Sequence, residues 1–121
     1  MTESQHLDLE IAKAIFHEGI LFNAAAIIGG NALIVYMLQL GVHYGIPPTI
    51  VDYLPGDINA GDRLNKELLD QRAYGTEIYK QINHWLTIRT EAEHNREDYT
   101  IKEVEEMLDG IGKFAEEYLL E

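Results

Sequence analysis

The stretch Arg89-Thr-Glu-Ala-Glu-His94 holds a fixed cation, a hydroxyl, two carboxylates and an imidazole. At about 100° per residue, Ile78, Ile82, Trp85, Arg89 and Ala92 fall on one helical stripe, so a guanidinium stands where periodicity assigns the interior. Burying that charge is costly unless an anionic or polar group meets it. One reading needs no ligand: Arg89 pairs with Glu93 at i+4, its stem lies over Trp85 and its head stays in solvent. His94 falls about 140° further round the helix, on the side of Asn83, Thr87 and Thr90, so cation and imidazole do not share a face. They converge only if the helix unwinds near Asn95, or if two copies of the helix meet and each site draws on both chains. Thr90, four residues before His94, is placed to orient the imidazole. Taken alone, His94 reads as a surface histidine.

Other patterns carry less. Glu91-Ala-Glu-His94 also has the Glu-x-x-His spacing of di-iron bundles, which need two such motifs and two further carboxylates. Only one copy exists; Glu10 and Glu18 could serve as the further carboxylates, but without a second motif no metal or other cofactor is expected. Gly110-Ile-Gly112-Lys113 has a phosphate-loop flavour but lies within a helical pattern, lacks a preceding strand and lacks the full spacing. His17, His43 and His84 have no partner at ligand spacing and read as packed or surface residues. Tyr36, Met37, Leu40 and Tyr44 read as core or dimer contact.

The elements that position these residues are helical, because no stretch alternates apolar and polar residues long enough to build a sheet. Thr2-Glu-Ser-Gln5 has capping-box spacing ahead of Leu7, Ile11 and Ile15, predicting a first helix from about residue 4 to Glu18, with Gly19 as a break. An uncharged helix from Ile20 to about Tyr44 follows, apolar on most of its circumference, as expected for a helix enclosed by others or shared with a second subunit. Pro47-Pro48 ends it. The segment from Ile46 to Asp62, with its Pro55-Gly56 turn signal, is the long connection. A short helix is predicted from Arg63 to about Arg72, stopped by Gly75, and Thr76 is the expected cap of the helix that carries Arg89. Thr100-Ile-Lys-Glu103 is a capping box for the last helix, whose stripe is Ile101, Val104, Leu108, Ile111, Ala115, Tyr118 and Leu119.

At 121 residues the chain suits one domain spanning 1–121. It has no cysteine, which excludes disulfides and thiolate metal sites and fits a cytoplasmic protein. The formal charge is -12, and from Glu91 to Glu121 there are 11 acids and three bases. Such a surface repels nucleic acid, so any RNA substrate must reach it against the field. The N-terminus lacks the basic start and cleavage site of a secretory signal. Ile20 to Val42 is long enough to cross a bilayer, but Asn23, Asn31, Gln39, the Gly29-Gly30 pair and flanks without Lys or Arg favour a buried central helix and no membrane.

From about Leu64 to Phe114 the sequence resembles the C-terminal half of a HEPN (higher eukaryotes and prokaryotes nucleotide-binding) domain, and the uncharged helix preceded by Phe22-Asn-Ala-Ala-Ala26 is more loosely similar to its first half. The family signature is Arg, a polar residue, three variable residues, then His; Arg89-Thr90-Glu-Ala-Glu-His94 matches it, with Thr90 where Asn is usual and Glu91 and Glu93 among the variable positions. The resemblance implies an all-α bundle of four to five up-down helices, dimeric, with the motif in a cleft between protomers. It implies a metal-independent endoribonuclease of toxin-antitoxin or antiviral defence, acting on single-stranded RNA and leaving 2',3'-cyclic phosphate ends. Arg89, His94 and Thr90 would be catalytic, with Asn95 and Arg96 contacting RNA. An imidazole that ordinarily titrates near pH ~6.5 can take the 2'-hydroxyl proton, and a guanidinium can stabilise the phosphorane. The acidity suits a basic antitoxin or other protein partner. The alternative is a catalytically silent dimer of the same fold that binds a protein or nucleotide.

Overall fold

The computed structural model describes residues 8–13, 22–51, 60–94 and 99–119. Its elements are α1 (8–13), α2 (Phe22–Val42), a 3₁₀ turn (Pro48–Val51), α3 (Ala60–Asp70), α4 (Thr76–Glu93) and α5 (Ile101–Leu119), with no strand among the described residues. The all-α helical bundle is therefore the observed architecture. The capping signals at Thr2–Gln5, the break at Gly19 and the Pro55-Gly56 turn lie outside the described residues, as do His17, Glu18, Asn95 and Arg96.

α2 is the central helix and packs against α3, α4 and α5. Ala25, Ala26, Leu33, Tyr36 and Met37 are buried along it. It is long and apolar enough to cross a membrane, yet 56% of that stretch is buried by the protein's own helices. Two adjacent glycines set how closely its neighbours approach. A Cβ on Gly29 would lie 2.5 Å from Leu108 of α5, and one on Gly30 would lie 2.5–2.8 Å from the Cβ, Cγ and Cδ of Arg89 on α4. Arg89 thus meets Gly30, while Tyr99, beyond the end of α4, donates to Asn23 and stacks edge-on against Phe22 at 6.0 Å. α4 therefore runs antiparallel to α2 and α5 runs parallel to it. The indole of Trp85 fills the space over Gly110, where a Cβ would stand, and wedges α4 against α5.

The helix ends differ from the sequence expectation in instructive ways. α2 stops at Val42, before the prolines, because the Ile46 N–H donates to Gly41 O at 3.0 Å and the Gly45 N–H to Val42 O at 3.3 Å, with Gly45 at φ 72°. That is a Schellman closure with glycine at the left-handed position. α3 begins earlier than Arg63, inside the expected connection, and ends at Asp70 in a second such closure: Ala73 N–H to Leu68 O and Arg72 N–H to Leu69 O, both 2.9 Å, with Arg72 at φ 61°. Gly75 is not the stop but the N-cap of α4, with no side-chain cap hydrogen bond, so Thr76 is the first helical residue rather than the cap. In α1 the buried positions are Leu9 and Ala12, while Ile11 is exposed.

The α5 capping box is present as read. Thr100 N–H donates to Glu103 Oε1 at 3.2 Å and Glu103 N–H to Thr100 Oγ1 at 3.1 Å. Val104, Leu108, Ile111 and Ala115 are buried as expected, joined by Met107 and Phe114, whereas Ile101 is 56% exposed. The helix runs unbroken through Gly110-Ile-Gly112-Lys113. Between α3 and α4, buried Asn65 donates to Tyr79 O at 3.1 Å and accepts from the Tyr74 hydroxyl. Tyr74 in turn packs edge-on against Phe114 and Tyr118 at 6.0 and 6.1 Å. One polar bridge and one aromatic cluster thus tie α3, α4 and α5 together.

Candidate functional site

Arg89 sits on the inward side of α4, as periodicity predicts, and Gly30 is what admits it. Its aliphatic stem lies across the α2 backbone in the space a side chain would otherwise occupy, while the ring of Trp85, four residues earlier, lies against Gly110 of α5. The head then emerges at the surface. Arg89 Nε donates to Asn31 Oδ1 at 2.7 Å, and a terminal nitrogen pairs with Glu93 Oε1 at 3.1 Å. The Arg89 side chain is 21% exposed, and its charge is met by one neutral and one anionic acceptor.

Thr90 lies on the next position and is buried, donating its hydroxyl to Leu86 O at 3.1 Å. The proton of that hydroxyl is spent within α4, leaving only its lone pairs for any neighbour. His94 is the C-cap, with φ -93°; its backbone N–H donates to Thr90 O at 3.1 Å and its side chain is exposed. A single chain thus holds Arg89 against α2 and His94 at the open end of α4.

His43 is exposed, and His84 pairs with Glu103 at 3.3 Å at the surface between α4 and α5. No group of three or more His, Asp or Glu residues able to hold a metal occurs among the described residues. A groove of about 670 Å³ separates α4 from α5, with Ile78, Trp85 and Phe114 among its apolar walls and Lys80, Asp109 and Lys113 at its edges. It does not include Arg89, Thr90 or His94. The partners that sequence reasoning missed at Arg89 are Gly30 and Asn31. The signal for them was the glycine pair followed by an amide in a helix otherwise free of polar residues for a turn on either side. No protein-family model, curated protein or solved structure matches this chain.

Proposed function

We propose that this chain is a metal-independent endoribonuclease of the HEPN type, acting as a cytoplasmic homodimer on single-stranded RNA in a toxin-antitoxin or antiviral setting. The observation that carries the reading is Arg89: Gly30 admits its stem to an interior position, and its guanidinium emerges partly exposed beside Asn31 and Glu93. In the proposed reaction, His94 removes the proton from a ribose 2'-hydroxyl, the 2'-oxygen bonds to the adjacent phosphorus, and the bond to the 5'-oxygen breaks. A second His94, from the partner chain, protonates the leaving 5'-oxygen, and a 2',3'-cyclic phosphate remains. Arg89 meets the charge that builds on the non-bridging oxygens. Thr90 supports the helix end, and Asn95 and Arg96 contact the RNA. The dimer supplies the convergence that one helix cannot, since Arg89 and His94 leave α4 on different sides.

Glu93 favours a second reading. Its carboxylate occupies the guanidinium edge that a phosphate would need, and the chain carries a formal charge of -12. A catalytically silent dimer that binds a basic protein, such as an antitoxin, or a nucleotide would retain the same geometry. Single-stranded RNA incubated with chelator and wild type, Arg89→Ala or His94→Ala separates the two. Cleavage by wild type alone, paralleled by growth arrest on expression, supports the enzyme. Equal cleavage by all three proteins removes it.

A further inference from the structure

Arg89 has two partners of different kinds, one neutral and one charged. Its Nε donates to Asn31 Oδ1 at 2.7 Å, and a terminal nitrogen meets Glu93 Oε1 at 3.1 Å. An arginine Nε donates and accepts nothing, so the Asn31 amide is fixed in orientation: Oδ1 faces the guanidinium and Nδ2 is turned away from Nε. Nδ2 thus carries two N–H donors on an exposed residue next to the Arg89 head, and it donates to no acceptor among the described residues. We propose that Asn31 Nδ2 is a second donor to the phosphate that Arg89 meets, which makes Asn31 a substrate-binding residue of the site. The proposal rests on the phosphodiester ligand of the function proposed above.

The presence of an amide, rather than a carboxylate, carries the inference. As a mere tether for Arg89, a carboxylate at position 31 would serve better, because a charged acceptor holds a guanidinium through a shorter and stronger bond. Asparagine is a poorer helix former than alanine, and Asn31 is exposed, so neither helix formation nor core filling accounts for it. What an amide alone supplies is an acceptor on one side and a pair of donors on the other, without charge. Arg89 and Glu93 together carry no net charge, whereas a carboxylate at 31 would turn the three into an anion on a chain already at -12. An anionic ligand would then be repelled. Gly30 brings the two donors together, since the close approach that seats the Arg89 stem delivers its head beside the next residue of α2. A ligand for this pair must accept several hydrogen bonds and carry negative charge, and the non-bridging oxygens of a phosphodiester do both.

The side-chain amide resonances of Asn31, assigned by their loss in Asn31→Ala, report the contact directly. Titrating the intact chain with a single-stranded 2'-O-methyl RNA, which lacks the attacking hydroxyl, should shift the Asn31 amide pair and the Arg89 Nε–H resonance along one saturation curve. Asn31→Asp should keep or raise the thermal midpoint, because Oδ1 still accepts from Nε, while weakening oligonucleotide binding by ~10-fold or more. Asn31→Ala, which removes the donors without adding charge, should bind with intermediate affinity. Asn31 amide resonances that stay still while Arg89 shifts overturn the inference, as does the absence of any shift at millimolar oligonucleotide or equal binding by wild type and Asn31→Asp. If Asn31→Asp fails to fold, the wild-type shifts still decide. Binding with the Asn31 shift but no cleavage of unmodified RNA would leave this contact standing and sink only the enzyme.

Discussion

Arg72 closes α3 at φ 61°, a conformation in which a Cβ crowds the backbone and which glycine adopts freely. Arg72→Gly is expected to raise stability by ~0.5–1 kcal/mol in urea unfolding, since the side chain is exposed and the left-handed strain is relieved. Nothing local in Leu69-Asp-Gln-Arg72 announces that turn, which is why the helix read longer than it is. Arg89 is the opposite case: its place on the apolar stripe was legible, but its seat was not. Asn31 lies 58 residues away, and no local period links them. Thr90 stands four residues before His94, the spacing that suggested it orients the imidazole, while its bond to Leu86 O is a back-bonding choice that spacing does not encode. Glu93 holds one edge of the guanidinium in a pair that is half-exposed and therefore weak, worth ~0.2–1 kcal/mol. Glu93→Gln should free that edge for phosphate. Under the ribonuclease reading it raises cleavage of single-stranded RNA by up to ~5-fold, the factor that ~1 kcal/mol represents; unchanged or lower cleavage would count against Arg89 as the phosphate group.

Between elements, the decisive features are small residues and one buried hydroxyl. Gly30→Ala would drive a methyl into the stem of Arg89, whose Cβ cannot move without moving α4. Overpacking of this kind costs ~1–3 kcal/mol, so thermal unfolding should begin several degrees lower, and an RNA-cleaving activity that needs Arg89 in place should fall with it. Tyr74 is the second junction. Burial, and then the neighbouring Tyr79 and Tyr118, push its hydroxyl well above the ordinary tyrosine value near ~10. A group whose folded pKa is raised contributes stability that is intact below the unfolded value and is lost as pH climbs toward the folded one. Stability should therefore hold to about pH 10 and fall above it, and Tyr74→Phe should flatten part of that fall. At neutral pH the same substitution should cost ~1–3 kcal/mol, because Asn65 Oδ1 is left buried without its donor. The last helix was readable because Thr100 and Glu103 lie three apart and act on each other. The α3–α4 bridge was not, because Asn65 and Tyr74 look like ordinary surface polars until the fold encloses them.

At the scale of the molecule, charge decides how any anionic substrate arrives. Twenty-one acids against nine Lys and Arg make the field repulsive at long range, so RNA must cross it before Arg89 can act. Added salt has two opposed effects. It weakens the attraction between Arg89 and a phosphate, and it screens the repulsion from the other carboxylates, with a Debye length of ~10 Å at 0.1 M. Arg89 and Arg96 from two chains release at most about four counterions, whereas the repulsion sums over 21 acids in each chain, so screening wins at first. Cleavage of single-stranded RNA is thus expected to hold or rise between ~50 and ~200 mM salt, where a nuclease with six or more phosphate contacts loses roughly 10³-fold or more in affinity. A steep fall over that range would mean that a basic surface engages the RNA, and this chain does not supply one among its described residues; the basic groups would then have to come from a bound partner protein.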